Sequence, residues 1–253
     1  MRLTGKVTIV TGAAAGLGRA VALRYAKEGA VVIAADTNVP NGTSLVKQID
    51  KCGLSGVFVP TDVSKEDDVQ RLVESVLMQY GQIDVLYNNA ATLPFEQDAQ
   101  VQKLSVETWD WVMSINLRGP FLCSKYALPS MLKRKAGSII HVSSPTGLYG
   151  CAPNLSAYSA SKAGLLGLTR AMAAAHARDG IRVNSIIPGT MDTPMNGYVL
   201  SDDVLREKLR EAIPMGRLGL PEDIEGLAVF LASDESAYCT GGIHMCDGGL
   251  TAV

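Results

Sequence analysis

Residues 6–26 read KVTIVTGAAAGLGRAVALRYA, and two kinds of regular structure meet there across a glycine turn. KVTIVT is short, β-branched and apolar throughout, the composition of a strand covered on both faces. TGAAAGLG places Gly12, Gly16 and Gly18 directly after it, and apolar residues then recur at helical spacing to about residue 29. Glycines let a backbone come close to a pyrophosphate, and the unpaired N–H groups at the start of the following helix stabilise its charge. Gly12, Gly16, Leu17 and Gly18 are therefore candidate cofactor-binding residues; a tight turn without ligand is the alternative. The next run, AVVIAAD (30–36), favours the first reading, because it ends on an acidic residue 18 positions past Gly18.

The same alternation continues down the chain. GVFVP (56–60), IDVLYNN (83–89), GSIIHVSS (137–144), IRVNSIIPG (181–189) and GIHMCDGG (242–249) read as strands, with helical patterns near 17–29, 42–52, 66–80, 105–133, 157–179 and 222–233. Strand–helix alternation without linker or repeat implies an α/β class fold: a single-domain Rossmann-type doubly wound parallel sheet of about seven strands spanning 1–253. One excursion, 190–220, breaks the rhythm and holds a short helical pattern at about 202–212. Excursions after the carboxyl end of a strand are where such sheets take ligands.

Composition narrows the function classes. With 47% hydrophobic residues and a net charge of −2, the chain can bury a large core and lacks the basic excess that nucleic acid or an anionic membrane would require. Its five cysteines are odd in number and scattered, and no histidine stands at ligand spacing from any of them, so free thiols and no metal site are expected. A strand starting near residue 6 leaves no room for a signal peptide, and no apolar run reaches the ~18 residues of a membrane span. The expectation is a soluble cytoplasmic protein.

Asp36 bears on the cofactor. A carboxylate closing the second strand accepts hydrogen bonds from adenosine ribose hydroxyls and repels a 2′-phosphate by about 4 kcal/mol per charge pair at ~4 Å in an effective dielectric near 20. Ala13, Ala14, Ala15, Thr37 and Asn38 surround it and offer no compensating cation, so NAD is the expected cofactor. Asp62 and Val63, after the third strand, are placed to meet the adenine. Asn89, Ala90 and Ala91 follow the fourth strand, and Asn88 before them could equally bond neighbouring backbone.

SAYSASKAG (156–164) sets Tyr158 and Lys162 four residues apart on one helical face. A free tyrosine, pKa ~10, is protonated at pH 7. An adjacent ammonium worth ~4 kcal/mol would lower that pKa by about three units and make the phenol a proton carrier near neutrality. Alone, such a pair is usually a surface pair.

In company it is more. T-G-x-x-x-G-x-G (11–18), N-N-A (88–90), Asn116 in SINLRGPF, Ser144 in HVSSPTG, Y-x-x-x-K (158–162), P-G-x-x-x-T (188–193) and D-G-G (247–249) occur in one order, and over its whole length the chain resembles a short-chain dehydrogenase/reductase. The resemblance implies a catalytic set of Asn116, Ser144, Tyr158 and Lys162. Asn116 would break local helical bonding and hold a water against the lysine, with Pro120 disturbing the same helix. Ser144 would hold the substrate oxygen, and Lys162 would also bond the nicotinamide ribose. Pro188, Gly189, Thr190, Met191 and Thr193 would line the nicotinamide. A homodimer or homotetramer is also implied, formed through the helices at 105–133 and 157–179. Three departures stand out: Ala91 where the family usually has glycine, His141 where it often has asparagine, and a longer segment from Asn89 to Asn116. His141, on an apolar strand, reads as a core residue.

The expected substrate pocket comprises Leu93, Phe95, Pro145, Tyr149, Cys151, Met195 and Tyr198, with Pro94 and Met215 nearby. It is apolar and offers no basic clamp, which suits a neutral, fairly hydrophobic secondary alcohol or ketone, cyclic or aryl-alkyl. Two alternatives stand beside this reading: an NADPH-dependent 3-oxoacyl-type ketoreductase, which would want a basic residue by Asp36, and a non-catalytic NAD-sensing protein, which would not need all four catalytic residues.

Overall fold

The computed structural model describes residues 1–252. Seven strands, β1 (Val7–Thr11), β2 (Val31–Asp36), β3 (Gly56–Pro60), β4 (Val85–Asn88), β5 (Gly137–Val142), β6 (Ile181–Pro188) and β7 (Ile243–Cys246), form one sheet in the order β3-β2-β1-β4-β5-β6-β7. Every pairing is parallel. The strands are apolar on both faces because both are covered. Val10, Tyr87, Ile140 and Ile186 pack with Val21, Tyr25 and Val229 on one side, while Ile9, Leu86, Ile139 and Val183 pack with Leu72, Val76 and Met131 on the other.

The helices are α1 (Gly16–Lys27), α2 (Val39–Lys51), α3 (Glu66–Tyr80), α4 (Val106–Met113), α5 (Gly119–Arg134), α6 (Ser156–His176), α7 (Gly197–Leu200), α8 (Asp203–Glu211) and α9 (Glu225–Ala232). Two details depart from the sequence pattern. The helix expected over 105–133 is split by one π turn, Ser114–Arg118. Pro120 has no N–H to offer the carbonyl of Asn116, so the regular ladder cannot run through this point. The 190–220 excursion contains two helices, α7 and α8, rather than one. The strand order reverses between β1 and β4, both paired in parallel, and the crevice beyond their carboxyl ends is where this architecture collects its loops. Among the described residues no helix is long and apolar enough to cross a membrane.

Candidate active site

The glycine turn is held from beneath. Gly12 has φ +65, and a Cβ there would come within 2.8 Å of Ala90 Cα and Asn89 Nδ2. At Gly18 a Cβ would lie 2.1 Å from the Gly12 carbonyl oxygen, so this glycine serves the packing of α1 on the turn. Asn89 completes the clamp, its Nδ2 donating to the carbonyls of Thr11 and Gly12 at 3.1 Å each. Helix α1 has no side-chain cap and no acidic residue in its first turn. Its leading amides thus remain available to an anion. Asp36 is aimed by two backbone donors, Ala14 N–H to Oδ2 at 2.9 Å and Asn38 N–H to Oδ1 at 2.8 Å. Arg19, the cation directly after the glycine turn, is turned to α2, where it bonds Asn41 O and Gln48 Oε1.

The reacting end stands on α6 and the end of β5. Tyr158 and Lys162 are both buried, and Lys162 Nζ lies 5.5 Å from the Tyr158 ring centroid. Nζ donates to Val142 O at 2.8 Å. Burial drives the two pKa values in opposite directions: Tyr158 is pushed up to about 12, offset in part by the Ser144 hydroxyl, and Lys162 is pushed down to about 7. This revises the expectation of a permanent ammonium that acidifies the phenol. In the protein alone burial governs both groups, holding the phenol above its ordinary value and the amine below it. Ser144 Oγ accepts from Thr146 Oγ1 at 3.1 Å. Asn116 is fully buried, and its side chain brackets one loop residue, accepting from Thr92 N at 2.7 Å and donating to Thr92 O at 2.9 Å. Nδ2 also donates to Ser161 Oγ of α6 at 3.2 Å, so the side chain is committed to the loop and to α6. His141 is a buried neutral residue, as its setting suggested; Nδ1 lies 2.9 Å from Thr169 Oγ1 and burial lowers its pKa to about 4.

A cleft of about 660 Å³ joins the two ends. Of the sequence candidates for the cofactor, Gly12, Gly16, Leu17, Asp36, Asn89, Ala90, Ala91, Tyr158, Lys162, Pro188, Gly189, Thr190, Met191 and Thr193 line it. Gly18, Thr37, Asp62 and Val63 do not. Gly18 is packed against the turn, Thr37 points to solvent, Asp62 turns its carboxylate to Ser64 N and Oγ, and Val63 is buried against Gly119. Among the catalytic candidates Ser144, Tyr158 and Lys162 line the cleft and Asn116 sits behind it. For the substrate, Leu93, Phe95, Pro145, Cys151 and Met195 line it, whereas Tyr149 and Tyr198 are exposed and do not. Tyr198 instead stacks on the outer face of the wall, its ring 5.9 Å from Phe95. Sequence reasoning missed Leu155, Leu200, Leu209, Ala212 and Leu250, which close the apolar half. The amphipathic pattern of α8 is the only sequence signal that bore on any of them. Lys162 is the only Lys or Arg in the lining.

A Rossmann sheet whose strand-order reversal opens on a glycine turn, with a Ser–Tyr–Lys cluster across the cleft, defines an oxidoreductase scaffold, and the chain belongs to the short-chain dehydrogenase/reductase family. A family model described as enoyl-(acyl carrier protein) reductase matches residues 12–251. The 3-oxoacyl-[acyl-carrier-protein] reductase FabG of Thermotoga maritima is 44% identical, over 99% of each chain. The cis-4-hydroxycyclohexanecarboxylate dehydrogenase of Sinomonas cyclohexanicum is 39% identical, over 98% of this chain and 97% of the relative. Among solved structures, a candidate NAD(P)-dependent gluconate 5-dehydrogenase from Beutenbergia cavernae, with NADP bound at low occupancy, superposes with a TM-score of 0.94 at 33% identity, over 99% of this chain and 98% of that one.

Proposed function

We propose that this oxidoreductase uses NAD(H) to interconvert an uncharged, largely apolar secondary alcohol and its ketone. The observation that carries the reading is the single cleft in which the uncapped start of α1 and Asp36 occupy one end and Ser144, Tyr158 and Lys162 the other. These residues fit a nicotinamide dinucleotide. The Gly16 and Leu17 amides would hold the pyrophosphate, Asp36 the adenosine ribose, Lys162 the second ribose, and Pro188, Gly189 and Thr193 the nicotinamide. Bound there, the dinucleotide supplies the hydride acceptor and, when oxidised, a positive charge.

The chain supplies the proton chemistry. Ser144 holds the substrate oxygen, so that its proton faces the Tyr158 phenolic oxygen. A positive charge entering the cleft favours the phenolate, bringing Tyr158 down from the value that burial alone imposes. Tyr158 then takes the hydroxyl proton in oxidation and returns it in reduction. Lys162, with a pKa near 7, exchanges that proton at physiological pH.

Asp36 supports NAD over NADP: it faces the ribose position as a carboxylate fixed by two N–H donors, and Arg19 is engaged elsewhere. The Thermotoga relative and the NADP in the Beutenbergia structure favour a second reading, an NADPH-dependent 3-oxoacyl reductase. The two readings separate in absorbance at 340 nm over a panel of secondary alcohols with each cofactor. NAD is expected to give a kcat/KM at least about tenfold above NADP, and Asp36→Ala to shrink that ratio, since a 1.4 kcal/mol change is worth a factor of ten. Equal rates with NADP, or an unchanged ratio in the variant, would overturn the assignment.

A further inference from the structure

The connection between β4 and α4 carries a buried carboxylate that the chemistry above does not use. Asp98 is 4% exposed. Its Oδ1 accepts from the N–H of Ala157 at 3.0 Å and Oδ2 from the N–H of Tyr158 at 2.8 Å. Oδ1 also accepts from Ala99 N–H at 2.9 Å. The amides of Ala157 and Tyr158 lie in the first turn of α6, where no helical carbonyl can reach them. The residue that should cap this helix locally is Leu155, which has no side-chain acceptor. The cap comes instead from a loop 60 positions earlier in the chain. No Lys, Arg or His lies within ion-pair reach of Asp98 among the described residues, so its partners are backbone amides alone.

The same loop is tied down at two further points. Asn116 brackets Thr92, and the Phe95 ring lines the cleft while stacking on Tyr198 of α7. One short segment thus touches the π turn, the substrate wall and the amide of the tyrosine itself.

We propose that Asp98 is a positioning residue for Tyr158: it clamps the first turn of the catalytic helix to the substrate loop and so fixes where the phenol stands over the cleft. This rests on the reading of Tyr158 as the proton carrier. Helix ends fray, and Tyr158 is the third residue of α6. Lys162 lies a turn deeper and has its own anchor at Val142 O, so loss of the clamp displaces the phenol and leaves the cofactor end intact.

The experiment compares wild type, Asp98→Ala and Asp98→Asn in three measurements: NAD-dependent oxidation of the best alcohol of the panel, NADH affinity by fluorescence, and hydrogen exchange of the α6 first-turn amides. Asp98→Ala is expected to lower kcat about 10- to 100-fold and leave the NADH Kd within about twofold, because small misplacements of a reacting group carry penalties of that size. Its Ala157 and Tyr158 amides should exchange at least about tenfold faster. Asp98→Asn, whose amide oxygen still accepts an N–H, should fall between the two. Unchanged kcat despite faster exchange would overturn the proposal, as would a parallel loss of NADH affinity. Should Asp98→Ala fail to fold, Asp98→Asn decides alone: a lowered kcat with faster exchange supports the clamp, and wild-type kcat refutes it. A wild type that turns over no alcohol or ketone would instead refute the role of Tyr158, and this inference with it, whatever the exchange rates show.

Discussion

Lys162 is the residue at which stability and the proposed chemistry conflict. Its pKa of about 7 lies well below the 10.5 of a free lysine, because burial penalises the ammonium. Between those two pH values the unfolded chain carries a proton that the folded chain does not, so stability falls as pH drops from about 10.5 to about 7 and then levels off. A difference of that size corresponds to about 4–5 kcal/mol, an upper figure for a group this buried. Lys162→Met should therefore raise the stability of the cofactor-free protein at pH 7 by about 2 kcal/mol, after allowing for the bond to Val142 O that it removes. Turnover should disappear in the same variant. Thermal melts across pH 7–10 check this: the pH-dependent loss should be present in wild type and absent from the variant, and a destabilised variant would contradict it. That Tyr158 and Lys162 share a helical face was legible from their spacing. That burial governs both was not, because desolvation depends on what α6 packs against rather than on its own sequence.

At the scale of elements, sequence legibility followed the range of the interaction. The strands and most helices were readable because a run apolar on both faces and a 3.6-residue period are local patterns. The π turn was half legible in Pro120, which marks a break but not its form. The candidates left outside the cleft are Gly18, Thr37, Asp62, Val63, Tyr149 and Tyr198: Gly18 packs α1 on the turn, Asp62 turns to Ser64, Val63 is buried against Gly119, Tyr198 stacks on Phe95, and Thr37 and Tyr149 are exposed, while the Asp98 cap joins two elements that no periodicity connects. Helices α4 and α5 present Val106, Trp109, Trp111 and Phe121 to solvent, between 37% and 69% exposed. Large apolar side chains clustered on a helix pair mark an interaction surface. We propose that a second copy of the chain covers them, giving a dimer or tetramer. Sedimentation should then show particles of at least twice 26.8 kDa, and a lone 26.8 kDa species at micromolar concentration would refute the pairing.

Across the whole molecule, the parallel sheet gathers residues from seven distant segments at one edge, and each brings a property the others need. In the proposed reading the glycine turn and Asp36 would select the dinucleotide and α6 would deliver the proton carrier, while the loop with Phe95 and the 190–220 excursion shape an apolar wall. The lining contains no Lys or Arg apart from Lys162, the observation behind the proposal of an uncharged substrate. All of this converges on the phenol of Tyr158. Replacing it with phenylalanine removes one oxygen and leaves the ring, so the decisive measurement is NADH formation at 340 nm by Tyr158→Phe beside its NADH affinity. A fall in kcat of about 10²–10⁴-fold with NADH binding preserved is the expected result, the range for loss of a general acid–base. Oxidation at near wild-type rate by that variant would contradict the assignment of the proton to Tyr158.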